Sequence, residues 1–178
     1  MEKRFNQEKL FEILKEGNPN SLGRLLEIYQ LVVEKQLSIS NIYDLYQFED
    51  VIVSMRVSNI LKRLWRLNPE HVLPFIPLFL KDEKRYMNPT FRWTLAQIFK
   101  ELFTKLTDED KHSLVNAISR NLTIGNDWIM LAQSMDALVF AKKKGLTIPN
   151  LLKELKVLSK DSRKVVKNKA IAVIKLME

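Results

Sequence analysis

Arg56, Asn59, Arg63 and Arg66 stand at i, i+3, i+7 and i+10, so a helix would carry them along one stripe. Three guanidinium groups and an amide offer many N–H donors, and a guanidinium fork matches the oxygens of a carboxylate or a phosphate. Arg163, Lys164 and Lys167 form a second basic cluster, and Lys142-Lys143-Lys144 a third. The lysine run has a structural explanation of its own, because cations in a closing helical turn are favoured by the helix dipole.

Other chemistry is poorly served. His71 and His112 stand alone, with no partner at i+3 or i+4 that forms a metal motif, and HExxH is absent. The chain has no Cys, which removes a thiolate zinc site, a cysteine nucleophile and a disulfide framework. Asp108-Glu109-Asp110 suits a helix N-terminus, where acids are stabilised, better than acid–base catalysis. GxSxG, GxGxxG and the P-loop pattern are missing, and the four glycines are scattered. No metal site, cofactor or catalytic residue is expected.

These side chains need rigid elements to hold them. The chain has 178 residues, 46% of them hydrophobic, with a net charge of +8. That is enough for one sizeable core, and one domain over residues 1–178 is expected. Periodicity is helical throughout, with no convincing alternation of the strand type. Ten helices are expected, at about 6–16, 21–36, 40–49, 51–67, 69–80, 89–106, 108–122, 127–144, 148–160 and 162–177. Asp50, Asn88, Thr107 and Asp161 read as N-caps. Pro74 and Pro77 must kink the fifth helix or delay its start. The longest membrane candidate, Val72–Leu80, is too short and is broken by both prolines. Without a signal-peptide core, the protein is expected to be cytoplasmic and away from membranes.

The even-numbered helices share an anchor position at Arg24, Arg56, Arg92, Leu131 and Lys167, spaced 32, 36, 39 and 36 residues apart. A turn residue precedes three of these anchors by six: Asn18, Asp50 and Asp161. A near-constant period of this length marks stacked helix pairs, each with an apolar face that needs a neighbour. In Leu10-Phe11-Glu12-Ile13-Leu14, Asn18 and Arg24-Leu25-Leu26-Glu27-Ile28-Tyr29, and again in Leu151-Leu152, Asp161, Val166-Lys167 and Ala170, the chain resembles the HEAT-repeat family. The third unit departs from that pattern with Tyr86 at the turn, and the fourth with Gly125 and Leu131.

The resemblance implies an all-α fold, a right-handed α-α superhelix of about five helix pairs whose second helices line a concave side. The even-numbered helices hold a clear excess of Lys and Arg, whereas the odd-numbered ones are weakly negative. Residues 1–50 carry a net −3 and residues 140–178 a net +8. The implied function is a non-enzymatic binding module whose basic concave surface meets an acidic protein partner or a nucleic acid. Its expected contacts are Arg56, Asn59, Arg63, Arg66, Arg92, Arg163, Lys164 and Lys167. Arg56 also fits a link between neighbouring repeats. The alternative is a nucleic-acid enzyme like the HEAT-like alkylpurine DNA glycosylases, which set aromatic residues and an aspartate on the concave side. Trp128 and Asp136 are the nearest match, but eight residues leave them about 80° apart on a helix, on a shared edge and not a shared face.

Overall fold

Capping side chains fix where most helices begin. The computed structural model describes residues 6–125 and 127–177. Asn6 accepts from the backbone N–H of Lys9 and opens α1 (Gln7–Lys15). After α2 (Leu25–Val33), Ser38 and Asn41 form a capping box at the start of α3 (Ile39–Tyr43). Asp50 caps α4 (Val51–Leu67) through the N–H groups of Ile52 and Val53. Further helices are α5 (Ile76–Asp82), α6 (Pro89–Leu102) capped by Asn88, and α7 (Asp108–Ile124) capped by Thr107. Asp127 caps α8 (Trp128–Lys143), and α9 (Leu151–Leu158) and α10 (Lys164–Lys175) follow. Among the described residues there is no strand. No helix among them is long and apolar enough to cross a membrane.

The expected boundaries are revised where turn chemistry overrides periodicity. α2 begins at Leu25, not Ser21, because residues 18–24 form a tight turn with Gly23 at φ +52°. The third helix tightens into a 3-10 turn at Asp44–Phe48. Pro74 delays the fifth helix: two 3-10 turns, Pro69–His71 and Leu73–Phe75, precede α5. α9 starts three residues late, after Asn150 in the left-handed region. Asp161 accepts from the Arg163 N–H, but α10 proper begins at Lys164.

The helices pack in two rows. α2 lies on α4, α4 on α6, α6 on α8 and α8 on α10. In the other row α5 lies on α7 and α7 on α9, while α1 packs against α4 and the 3-10 turn after α3. One apolar core runs between the rows, from Leu10 and Leu14 to Ala170 and Val173. Its bulkiest part is an aromatic cluster in which Tyr43 and Tyr46 meet Phe79 and Phe91 edge-on. Both tyrosine hydroxyls stay satisfied, Tyr43 donating to Asp82 at 3.0 Å and Tyr46 paired with Ser58 at 2.6 Å. Burial pushes both above the ordinary tyrosine range.

Arg56 ties the first two helix pairs together. It is 1% exposed. Its terminal nitrogens donate to the carbonyls of Leu14, Glu16, Asn18 and Ser21. These carbonyls lie at the end of α1 and in the turn after it, so the side chain caps that segment. Arg56→Ala strands those acceptors and should cost about 3 kcal/mol, since hydrogen bonds to charged groups contribute about 1.5–3 kcal/mol each and partial resolvation returns some. Arg56→Lys should recover less than half, because an ammonium cannot span two pairs of carbonyls. Gly23→Ala, whose Cβ would lie 2.7 Å from the Arg56 guanidinium at a left-handed φ, should also destabilise. Urea unfolding midpoints of the three variants check this order.

Candidate binding surface

α4 buries Val53, Val57, Ile60, Leu61 and Leu64, which leaves residues 59, 62, 63 and 66 on its other side. Asn59, Lys62, Arg63 and Arg66, with Tyr29 from α2 and Leu67, line an open cavity of about 550 Å³. Arg63 is half-buried, and Asn59 Oδ1 accepts from its Nε at 3.1 Å, which fixes the plane of the guanidinium. Its two terminal nitrogens have no hydrogen bond or ion pair among the described residues. Arg66 is committed further. Its Nε and a terminal nitrogen donate to the two carboxylate oxygens of Glu101 on α6, each at 2.8 Å.

Glu101 also accepts from Trp65 Nε1 at 2.9 Å and lies 3.7 Å from Lys62 Nζ. Burial opposes its charge, but the hydrogen bonds from Arg66 and Trp65 and the neighbouring cations outweigh that and hold its carboxyl below the usual range. The cavity rim therefore presents three cations against one carboxylate. Lys62 was not among the expected contacts, although its place three residues after Asn59 puts it on the same face.

Two expected contacts are not on the surface, and this corrects the sequence reading. Arg56 lies about 60° around α4 from Asn59, toward the α1–α2 turn, and is consumed by carbonyls as described. Arg92 is 3% exposed and sits against the buried Glu83 carboxylate at 3.3 Å. It also donates to the Glu83 carbonyl and to Asn121 Oδ1, and Asn121 passes the network on to Ser134 of α8. Arg120 closes over Glu83 from outside at 2.6 Å. Burial lowers the Arg92 pKa despite the Glu83 charge, whereas the Glu83 hydrogen bond raises that of Arg120.

The second basic cluster divides in the same way. Arg163 makes a two-point contact with Asp161, at 2.8 and 2.7 Å, which pushes the Asp161 carboxyl down to about 2. Lys164 and Lys167 are exposed and have no ion pair among the described residues. Lys142, Lys143 and Lys144 are exposed at the end of α8, where the dipole favours them. Asp136 is bound by Lys169 across the α8–α10 contact at 2.6 Å and shares no hydrogen bond with an aromatic side chain among the described residues. Trp128 is exposed at the start of α8, Trp65 is buried, and Trp93 is half-buried. Among the described residues no group of His, Cys, Asp and Glu is placed to hold a metal ion. Comparison with protein-family models, with curated proteins and with solved structures finds no match to this chain.

Two measurements test these assignments. Glu83→Gln leaves the Arg92 charge buried without a counter-ion and should cost about 3–5 kcal/mol in urea unfolding, the scale of a broken buried pair. For Glu101 the folded pKa is depressed, so its contribution to stability is present above the ordinary glutamate value of 4.5 and is lost as pH falls through the folded value. Unfolding midpoints taken across that acid range should fall less steeply for Glu101→Gln than for the parent chain.

Proposed function

We propose that this chain is a non-enzymatic binding module, a HEAT-like right-handed superhelix whose second helices offer a basic surface to an acidic protein partner. The two rows of helices support the architecture, since α2, α4, α6, α8 and α10 succeed one another along one side. The observation that carries the binding role is the Arg63 guanidinium. It is oriented by Asn59 and, among the described residues, left with both terminal nitrogens open beside Lys62, Arg66 and Tyr29. Lys164 adds to this, because a cation in the first turn of α10 opposes the helix dipole and so has no local structural reason to be there.

The pattern favours a protein ligand over a nucleic acid. A phosphate backbone carries charge at every step and is served by an unbroken basic track. Here carboxylates interrupt the cations, Glu101 beside Arg66 and Lys62, and Asp136 beside Lys169. Separate cationic clusters with neutral and aromatic side chains between them suit an acidic protein segment whose carboxylates are spaced by apolar residues.

Fluorescence anisotropy with a labelled Asp/Glu-rich peptide, run beside a single-stranded oligonucleotide of matched length and net charge, tests the reading. The peptide should bind more tightly, with affinity falling as salt rises. Arg63→Ala should weaken it roughly ten- to hundredfold, the range of a lost charge-assisted contact. Glu101→Gln should tighten it by freeing Arg66. Preference for the oligonucleotide would move the reading to nucleic acid, and peptide binding indifferent to Arg63→Ala would remove the site.

A further inference from the structure

The α4 cavity is rich in donors and poor in acceptors. Lys62, Arg63 and Arg66 stand at i, i+1 and i+4, and like charges three or four residues apart on a helix repel. Among the described residues Glu101 is the one carboxylate that meets any of them. It bonds two nitrogens of Arg66, while Lys62 Nζ stays 3.7 Å away. Three cations against one carboxylate leave two positive charges unmatched in one cavity. The terminal nitrogens of Arg63 and the amide nitrogen of Asn59 have no acceptor among the described residues.

A ligand that satisfies this cluster at one point needs two charges there. A carboxylate brings one charge and two oxygens. A phosphate monoester brings about −1.5 to −2 at pH 7 and three acceptor oxygens. Resting on the acidic-partner reading above, we propose that this cavity takes a phosphorylated side chain carried on a segment of the partner protein. One phosphoryl group then accepts from the Arg63 fork, which Asn59 already holds in plane, and balances the Lys62 charge. Arg66 can keep Glu101, so no carboxylate has to be displaced. Leu67 lines the same cavity and is 56% exposed, which gives residues beside the phosphoryl group an apolar surface to cover. A free phosphate ion has nothing to place there.

Fluorescence anisotropy on the full chain tests this, with one labelled Asp/Glu-rich peptide whose central residue is serine, glutamate or phosphoserine. The phosphoserine form should bind roughly tenfold more tightly than the glutamate form, the scale of one added charge-assisted contact. That preference should grow between about pH 5 and 7.5, as the phosphate takes its second charge. Lys62, Arg63, Arg66, Tyr29 and Glu101 all have ordinary pKa values outside that window, and neither His71 nor His112 lines the cavity. Arg63→Ala and Lys62→Ala should each abolish the preference, and Lys62→Arg should retain it, which guards against variants that merely misfold. Equal binding of the phosphoserine and glutamate forms, or a preference that survives Lys62→Ala, would overturn the proposal; the acidic-segment reading would still stand if the glutamate form needed Arg63. Binding by none of the three peptides would remove both. Inorganic phosphate that displaces the phosphoserine peptide at equal concentration would overturn the protein segment as the source of the phosphoryl group.

Discussion

A guanidinium shut away from water needs acceptors, and among the described residues two are enclosed, each with its terminal nitrogens bonded and its Nε unmet. Arg56 takes four backbone carbonyls from the turn that joins α1 to α2. Arg92 takes the side chain and carbonyl of Glu83 and reaches Asn121 on α7. Each therefore fixes one helix of the α4–α6–α8 row against chain from another unit. Between them run smaller polar links, Ser54 with the Asn88 cap and Ser58 with Thr94, both across the α4–α6 contact. Leucines and valines would let neighbouring helices slide by a turn at little cost. Directional bonds to buried partners do not, because any slip leaves a charge unmet. The contribution of these arginines is register more than raw stability, since a well-packed apolar replacement for a buried ion pair is often no less stable.

The same requirement divides the arginines along α4. Arg56 lies at the edge turned toward the α1–α2 turn and is consumed. Arg66 is seven residues beyond Asn59 and shares Glu101 with Trp65 and Lys62. Arg63 lies between them and, among the described residues, has only an amide oxygen at one of its three nitrogens. One helix thus grades from a wholly structural cation to a largely uncommitted one within two turns. Arg163 repeats the pattern on a small scale beside Lys164, with Asp161 binding the first and leaving the second.

How far this could be read from the sequence follows from where each partner lies. α4 was legible to the residue, because Asp50 caps it, Pro69 stops it, and an apolar stripe runs between. Asn88 and Thr107 were equally plain, since a cap acts within three residues of itself. The start of α2 was hidden, because Gly23 and the turn around it are shaped by a guanidinium that arrives from Arg56, far along the chain. The partners of Arg56 were not visible in the sequence: they are carbonyls, which every residue has. Glu83 was overlooked as the partner of Arg92 because a charged connecting segment looks like solvent-exposed loop. Glu101 was missed because it meets Arg66 from 35 residues away, across a helix contact. Local rules found the elements and put Asn59, Arg63 and Arg66 along one side of α4. Which cations were already spent depended on tertiary partners.

Glu101 gives the proposed surface a threshold. A ligand carboxylate approaching Arg66 has to compete with an intramolecular one that is already placed at 2.8 Å on two nitrogens and has lost no translational freedom. Exchange of one carboxylate for another brings little gain by itself. Arg63 has no such competitor, so a first carboxylate gains there without displacement. A ligand with a second acid within reach then meets Lys62, whose Glu101 contact is the longest of that set at 3.7 Å. On the proposed reading an isolated carboxylate gains at Arg63 alone, and a segment that places several together gains further at Lys62. The internal carboxylate thus limits what a ligand gains beyond Arg63, because each further contact has to be won from Glu101.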